Sequence, residues 1–220
     1  MTGRHRDDAS PTETEILTEL HRTLTDATGE FTEKIETLLA VGQSYLSMDA
    51  GLVAAVDDGR YEIEIIHSDH ASLGEIPDGT VMPLSETVCE RTLARGETFV
   101  VDDIPTEQSD LIERAAVSDH DGRRYIGTPI SVADRTYGTL CFYGTETHDS
   151  ALSARDEQLV EFIGQLVTYE LEHHLQQTEL KAATEELETV FERVDDAVFA
   201  VDTDWTVTYV NDQAEAILDT

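Results

Sequence analysis

Two cysteines carry the most reactive side chains in this sequence, and they lie far apart along the chain. Cys89 and Cys141 form no Cys-x-x-Cys pair, so their spacing indicates neither a zinc site nor a redox motif of that type. The first ten residues lack the apolar stretch of a secretion signal, and we expect a compartment that keeps thiols reduced. Because free cysteine behaves as a small buried apolar residue, we interpret both as core residues.

Histidines and neighbouring acids are the next candidates for chemistry. His67 and His70 flank Asp69 and could form half of a metal site. Residues three apart near a strand end do not converge as they do on a helix, and no further ligands follow at zinc spacing. We therefore predict no metal site and place these side chains in a solvated loop.

Adjacent pairs at two further positions also invite a catalytic interpretation. His173 and His174 could accept a phosphoryl group, and Asp102 with Asp103 could act as an acid/base pair. The chain contains no phosphate-binding loop of the type GxxxxGK. We expect the histidines on a helix surface or in its seam and the aspartates in a turn after a strand. The sequence thus predicts no catalytic residue.

The number and distribution of charged residues indicate a salt-rich solvent rather than a binding partner. The 220 residues include 47 Asp or Glu and 14 Lys or Arg, giving a formal charge of −33, and Lys34 and Lys181 are the only lysines. Acids spread over the whole chain resemble the surfaces of salt-accumulating halophiles such as haloarchaea. Near 1 M salt the Debye length is about 3 Å, so these charges repel one another weakly. We expect a cytoplasmic protein that binds neither nucleic acid nor a membrane.

The apolar pattern predicts an α+β fold. Helices are expected over residues 1–29, from Phe31 onward, and from Ser85 to Arg95 with Gly96 at the end. Residues 52–56 and 61–67 read as one hairpin and residues 124–132 and 136–143 as another, with a short strand at 98–101. In the last strand Tyr137, Thr139, Cys141 and Tyr143 should share one face while Leu140 and Phe142 point to the other. Both faces of the sheet should therefore be covered.

A long helix with a seven-residue repeat follows Ser153. Nine of eleven positions in two interleaved series are apolar, and the exceptions are His173 and Gln176. Sustained heptads indicate a two-stranded coiled coil, although the first half of the helix could also pack on its own domain. The predicted dimer helix residues are Leu159, Phe162, Leu166, Tyr169, Leu180 and Leu187.

Four segments resemble the GAF domain family. They are residues 97–103 (ETFVVDD), 125–130 (YIGTPI), 137–140 (YGTL) and 153–159 (SARDEQL). Residues 191–202 (FERVDDAVFAVD) and 209–214 (YVNDQA) resemble the opening of a PAS domain that is cut off after its first third. The series resembles the sensory half of haloarchaeal histidine kinases and bacterio-opsin-activator-like regulators.

These resemblances divide the chain into four parts. Residues 1–29 form an N-terminal helix, 30–172 a GAF sensor domain, 173–187 a coiled-coil signalling helix and 188–220 the incomplete PAS domain. The GAF resemblance implies about six antiparallel strands flanked by helices, frequent dimerisation and, in some members, a small-molecule pocket. If a pocket exists, we expect Cys89, Phe99, Tyr125 and Tyr137 to line it; the alternative is that they fill the core.

The resemblance leaves the ligand and any cofactor unknown. Cyclic-nucleotide-binding members carry an Asn-Lys-Phe-Asp-Glu signature, and this chain has its only asparagine at Asn211. Bilin-binding members attach the chromophore to a cysteine commonly followed by His, whereas Cys89 precedes Glu90 and Cys141 precedes Phe142.

Three functions remain open from the sequence. The first is a non-catalytic sensor that detects a small molecule or a redox or light cue and passes it through a homodimeric helix to a downstream kinase or transcription-regulator domain. It includes the sensory part of a histidine kinase whose catalytic core lies outside this chain. The second is a dimerisation scaffold without a ligand. The third, a methionine-sulfoxide reductase, is disfavoured because such GAF enzymes use several reactive cysteines.

The charge generates a prediction about stability. We expect the melting temperature to rise steeply between dilute buffer and molar KCl, because salt screens the self-repulsion of a chain with formal charge −33. Calorimetry across a KCl series measures it, and a melting temperature independent of KCl would contradict the halophilic interpretation.

Overall fold

The computed structural model describes residues 29–70, 73–148, 150–192 and 197–218, together with Thr18. The chain divides into two compact units, Met1–Glu172 and His173–Thr220. The helix predicted over residues 1–29 lies, apart from Thr18 and Gly29, outside the described residues.

A six-stranded antiparallel sheet forms the centre of the first unit, in the order β3-β2-β1-β6-β5-β4. The strands are β1 Ala50–Asp57, β2 Arg60–Ser68, β3 Val81–Pro83, β4 Phe99–Val101, β5 Arg124–Val132 and β6 Arg135–Gly144. The helices are α1 Phe31–Leu46, α2 Cys89–Arg95, α3 Ile104–Glu107, α4 Ala115–Ser118 and α5 Ala154–Glu192. The predicted α+β fold with about six antiparallel strands is confirmed.

Both predicted hairpins turn through two residues with positive φ. Asp58 and Gly59 connect β1 to β2 with φ of 45° and 78°, and Ala133 and Asp134 connect β5 to β6 with φ of 49° and 59°. Two consecutive left-handed residues characterise a type I′ turn, whose twist matches that of the flanking strands.

Each face of the sheet has its own apolar core. Helices α1 and α5 cover one face, where Leu140 and Phe142 of β6 pack. Helix α2 and the segments between β4 and β5 cover the other face, where Cys141 and Tyr143 pack. The predicted alternation is therefore confirmed for residues 140–143 of β6, whereas the prediction for Tyr137 is wrong, because it packs on the face of Leu140 and Phe142. Gly42 of α1 leaves room for the Phe142 ring, since a Cβ there would lie 2.3 Å from a ring atom.

The helix expected from Ser85 begins later than predicted. Leu84–Glu86 forms a single 3₁₀ turn, Thr87 is extended with φ −118° and ψ 159°, and α2 begins at Cys89. The Thr87 hydroxyl donates to the carbonyl of Leu84 at 2.8 Å, which closes the turn before the helix can continue. Gly96 ends α2 with φ 68°, as predicted.

The second unit contains a short hairpin and a helix after the end of α5. Strands β7 Phe199–Val201 and β8 Val207–Val210 pair antiparallel, and α6 spans Asp212–Leu218. Asn211 is buried, and its side-chain oxygen accepts from the backbone N–H groups of Val198 and Ala214. Among the described residues, no helix is both long and apolar enough to cross a membrane.

Candidate functional site

A cleft lies on the α2 side of the sheet in the first unit. It lies between strands β1, β2 and β6 and the chain around residues 116–122, and its cavity volume is about 40 Å³. Most of its lining is apolar, chiefly Leu52, Ile63, Ile66, Leu73, Ile76 and Met82. Its lining, apolar with a few polar groups, is that of a small-molecule site, whereas its volume is well below the roughly 300–1,000 Å³ of such sites. A ligand of more than a few atoms therefore requires the cleft walls to move apart.

Two residues that line this cleft each carry a buried polar atom that lacks a partner. The Nδ1 atom of His120 and the hydroxyl of Tyr143 are buried and form no hydrogen bond within the described part of the chain. Burial raises the pKa of the Tyr143 hydroxyl, and the Val88 backbone lies close enough to lower this pKa by a smaller amount. The contact with Val88 does not have the geometry of a hydrogen bond. An unmade hydrogen bond on a buried group costs about 1–3 kcal/mol, so a ligand that supplied partners here would recover that energy.

A cluster of thiols and hydroxyls lies behind the cleft wall. The Sγ atoms of Cys89 and Cys141 are 3.5 Å apart. The Tyr61 hydroxyl is 3.2 Å from the Cys89 sulfur, and the Tyr125 hydroxyl donates to that sulfur at 3.4 Å. Thr92 bonds the same Tyr125 hydroxyl at 2.6 Å. Strand β6 therefore meets the beginning of α2 through polarizable sulfur atoms rather than through carbon.

The surroundings shift the pKa values of the two thiols in opposite directions. Burial raises the pKa of the Cys89 thiol, but the hydrogen bonds directed at its sulfur, first that of Cys141, outweigh burial and lower this pKa to about 6. Burial and the hydrogen bond to Cys89 raise the pKa of Cys141 well above its usual range. Burial likewise raises the pKa of Tyr61 and Tyr125, so both hydroxyls stay protonated and available as donors.

Three of the four predicted pocket residues lie together. Cys89, Phe99 and Tyr125 are buried in the α2-side core, and the Phe99 and Tyr125 ring centroids are 6.0 Å apart. They stand behind the cleft, where Tyr61 and Tyr143 form its wall. As core residues, the two cysteines match the interpretation made from the sequence.

Tyr137 lies apart from the other three. It packs against the core beneath α1 and α5, and its hydroxyl donates a hydrogen bond to Glu64. Burial, followed by this bond to a carboxylate, raises the Tyr137 pKa well above its usual range. Its distance from the cleft follows from a strand irregularity between Ile130 and Ser131, at which the register with β6 shifts by one residue.

Sequence reasoning missed the residues that line the cleft, among them Tyr61, Tyr143 and His120. Tyr61 and Tyr143 could have been found, because each is a tyrosine in an alternating strand on the face that also carries Cys141. His120 has no such signal, since it lies in an irregular segment after α4 whose position only the folded chain determines.

The histidine candidates remain dispersed. His67 lies in β2 and His70 just beyond it, and the described residues contain no cluster of three or more His, Cys, Asp or Glu side chains placed to hold a metal ion. His173 is exposed on α5, where its Nε2 lies 3.3 Å from the Gln177 side-chain nitrogen.

Asp102 and Asp103 directly follow strand β4 and form ion pairs and hydrogen bonds with distant parts of the chain. Asp102 accepts from the Arg124 guanidinium at 3.1 Å and from the Leu152 backbone N–H at 2.9 Å. Asp103 lies 3.8 Å from Arg123 in a looser pair. The Arg124 side chain is only 4% exposed, so Asp102 neutralises a buried cation.

The architecture and the sequence both define the family. Six antiparallel strands with helices on both faces and a long exit helix define a GAF-type fold. The chain belongs to the GAF domain family, which matches residues 29–172, and residues 185–220 match the PAS domain family. The predicted order of GAF then PAS is confirmed. Domains of these two kinds are typical of sensory signalling modules.

Solved structures with this fold have diverse activities. The GAF domain of an Acinetobacter phosphoenolpyruvate-protein phosphotransferase is 13% identical with a TM-score of 0.57, covering 74% of this chain and 97% of that one. A phycocyanobilin-bound GAF domain from a cyanobacterial phytochrome is 15% identical with a TM-score of 0.59, covering 76% and 98%. Free methionine-R-sulfoxide reductase from Neisseria meningitidis is 17% identical with a TM-score of 0.58, covering 74% and 90%. No curated protein matches the sequence.

The aspartate pair generates a matched prediction. Asp102→Asn should lower the free energy of unfolding by roughly 2 kcal/mol, less than the 3–5 kcal/mol of a fully buried pair, because it leaves the Arg124 cation without its counter-charge. Asp103→Asn should change it by less than about 1 kcal/mol, because the 3.8 Å pair with Arg123 is loose and partly exposed, and an asparagine can still accept from the Thr106 hydroxyl. Urea unfolding in molar KCl compares them, and equal losses would show that the Asp102 pair has no special weight.

Proposed function

We propose that this chain is a non-catalytic sensory module that binds a small molecule in the cleft. The observation that supports the proposal is the pair of unpartnered polar atoms, His120 Nδ1 and Tyr143 Oη, in otherwise apolar walls. A domain evolved only to fill its core would gain by pairing or replacing both groups.

The lining restricts the class of ligand. Among the described residues that line the cleft there is no Lys or Arg. The nearby Arg114, which acts on Tyr143, is already paired with Glu90 at 2.7 Å, so a phosphate or carboxylate would enter without a free counter-charge. The chain's own charge of −33 acts against anions as well. The favoured ligand is a compact, uncharged and largely apolar molecule with one polar group that bonds Tyr143 and His120.

Ligand retention tests this proposal. Native mass spectrometry of protein purified gently in high salt should show an additional small-molecule mass, and Tyr143→Phe should lower its occupancy by about two- to tenfold, the worth of one hydrogen bond. Tyr169→Phe, an exposed tyrosine on α5, is the matched control and should retain the ligand. No additional mass in any preparation would favour the ligand-free scaffold.

Helix α5 supports a homodimer that relays the signal. Its core-facing side is formed by Val160, Ile163, Val167 and Leu171, which are all buried. On other sides Phe162 is 39% exposed, Tyr169 59% and Leu180 69%. Large apolar side chains repeated at heptad positions on an exposed helix are typical of a pairing surface.

The predicted seam therefore has two roles along its length. Leu166 is buried and Leu159 half-buried against the core beneath α1 and α5. Phe162, Tyr169 and Leu180 are exposed and would contact a second copy of the chain. Leu187 lies within α5, but its side chain falls outside the described residues. We infer that a shift in the GAF packing reaches the paired helices directly, because the same helix contributes both to the GAF core beneath α1 and α5 and to the proposed pairing surface.

The rest of the proposal concerns the chain's setting. The sensor acts in the cytoplasm of a halophile, within a two-component or transcriptional system whose kinase or regulator domain receives the signal. The GAF and PAS matches support a signalling role.

Association tests the dimer. Tyr169→Gln combined with Leu180→Gln should weaken dimerisation at least tenfold in molar KCl, because burying each such side chain contributes about 1.5–3 kcal/mol. Ala182→Gln, exposed on the same helix and outside both heptad series, is the control. Sedimentation equilibrium measures both, and a wild-type monomer at all salt concentrations would refute the relay.

A further inference from the structure

The buried thiols form a pair that the sequence did not reveal. Cys89 begins α2 and Cys141 lies in the central strand β6, 52 positions away, yet their sulfur atoms are 3.5 Å apart. Both are free thiols with no exposed surface. Sulfur atoms at this separation need to approach by only about 1.5 Å to reach the bond length of roughly 2.05 Å in a disulfide.

Three hydroxyl groups prepare the surroundings for thiolate chemistry. Tyr61 and Tyr125 contact the Cys89 sulfur, and Thr92 supports Tyr125 from behind. Hydrogen bonds of this kind stabilise a thiolate in place of bulk water. A pair of cysteines that only filled space would need no such donors.

We propose that Cys89 and Cys141 form an oxidisable dithiol site that a small hydroperoxide converts to a disulfide. The proposal concerns a chemistry separate from ligand binding in the cleft and stands even if the cleft is empty. Cys89 is the attacking thiol, since its sulfur receives the tyrosine hydrogen bonds, and Cys141 is the resolving thiol.

The reaction balances as two steps with hydrogen peroxide as the oxidant. The Cys89 thiolate attacks one peroxide oxygen, so an S–O bond forms, the O–O bond breaks, and the departing hydroxide takes up the Cys89 proton as water. The Cys141 sulfur then attacks the Cys89 sulfenic acid, so the S–S bond forms and the S–O bond breaks. The second hydroxide takes the Cys141 proton. Two thiols lose two electrons in all, and one peroxide becomes two waters.

The cleft supplies the route to the buried pair. Tyr61 lines the cleft on one side and contacts Cys89 on the other, so one side chain separates solvent-accessible space from the sulfur. Hydrogen peroxide is little larger than water and can pass when this ring moves. An aromatic disulfide reagent cannot, which separates the proposed site from an ordinary exposed thiol.

The primary test uses the whole chain, reduced and then treated with hydrogen peroxide in molar KCl. After denaturation with N-ethylmaleimide, intact mass should show the loss of two hydrogen atoms and no alkylation. Two alkylated cysteines after peroxide treatment would overturn the proposal, as would a disulfide between two copies of the chain. Native protein should also react at least tenfold more slowly with an aromatic disulfide reagent than unfolded protein.

Two kinds of variant assign the roles. Cys141→Ser should leave a Cys89 sulfenic acid that dimedone traps when the protein is unfolded in its presence, whereas Cys89→Ser should leave Cys141 unmodified. The reverse pattern would overturn the assignment. Tyr61→Phe keeps both thiols and should slow disulfide formation severalfold. Tyr137→Phe, which alters a tyrosine on the opposite face, is its control. Equal rates for these two variants would show that Tyr61 has no part in the site.

Discussion

Strand β6 imposes the constraint on which this fold depends, because it is buried on both faces at once. Leu140 and Phe142 contribute to the core beneath α1 and α5, while Cys141 and Tyr143 contribute to the core beneath α2. Since successive side chains of a strand point in opposite directions, a slip of one residue would exchange the two sets. The core beneath α1 and α5 and the core beneath α2 are thus specified together by one stretch of sequence.

Two strand irregularities adjust this alternation and meet each other across β1. The register between β1 and β2 shifts so that Glu64 is the additional residue, and the register between β5 and β6 shifts at Tyr137. The side chains of these two residues are hydrogen-bonded to each other. Each bulge changes the face that the following residues occupy. Ile63 therefore packs in the core beneath α2, while Ile65 packs in the core beneath α1 and α5.

Local signals explain how much the sequence could predict. Turn residues, the period of two and the positive-φ glycine at Gly96 depend on near neighbours. Both hairpins, the end of α2 and the alternation over residues 140–143 of β6 were therefore predicted correctly. The bulges depend on pairing between strands distant in sequence, and Tyr137 was consequently grouped with residues on the wrong face. The contact between Cys89 and Cys141 and the position of His120 depend on how α2 and the segment after α4 settle on the sheet, which no local pattern encodes.

The cleft and the thiol pair share their wall, and this makes their states interdependent. Tyr61 lines the cleft and touches Cys89, while Tyr143 lines the cleft and packs on Tyr125 with ring centroids 5.1 Å apart. A disulfide would draw the start of α2 toward β6 and remove the thiolate that Tyr61 and Tyr125 contact. A ligand held by Tyr143 would bind the two redox states with different affinity, and by linkage it would shift the thiol potential by the same free energy. One wall of side chains therefore suffices to join a chemical cue and a binding cue before either reaches α5.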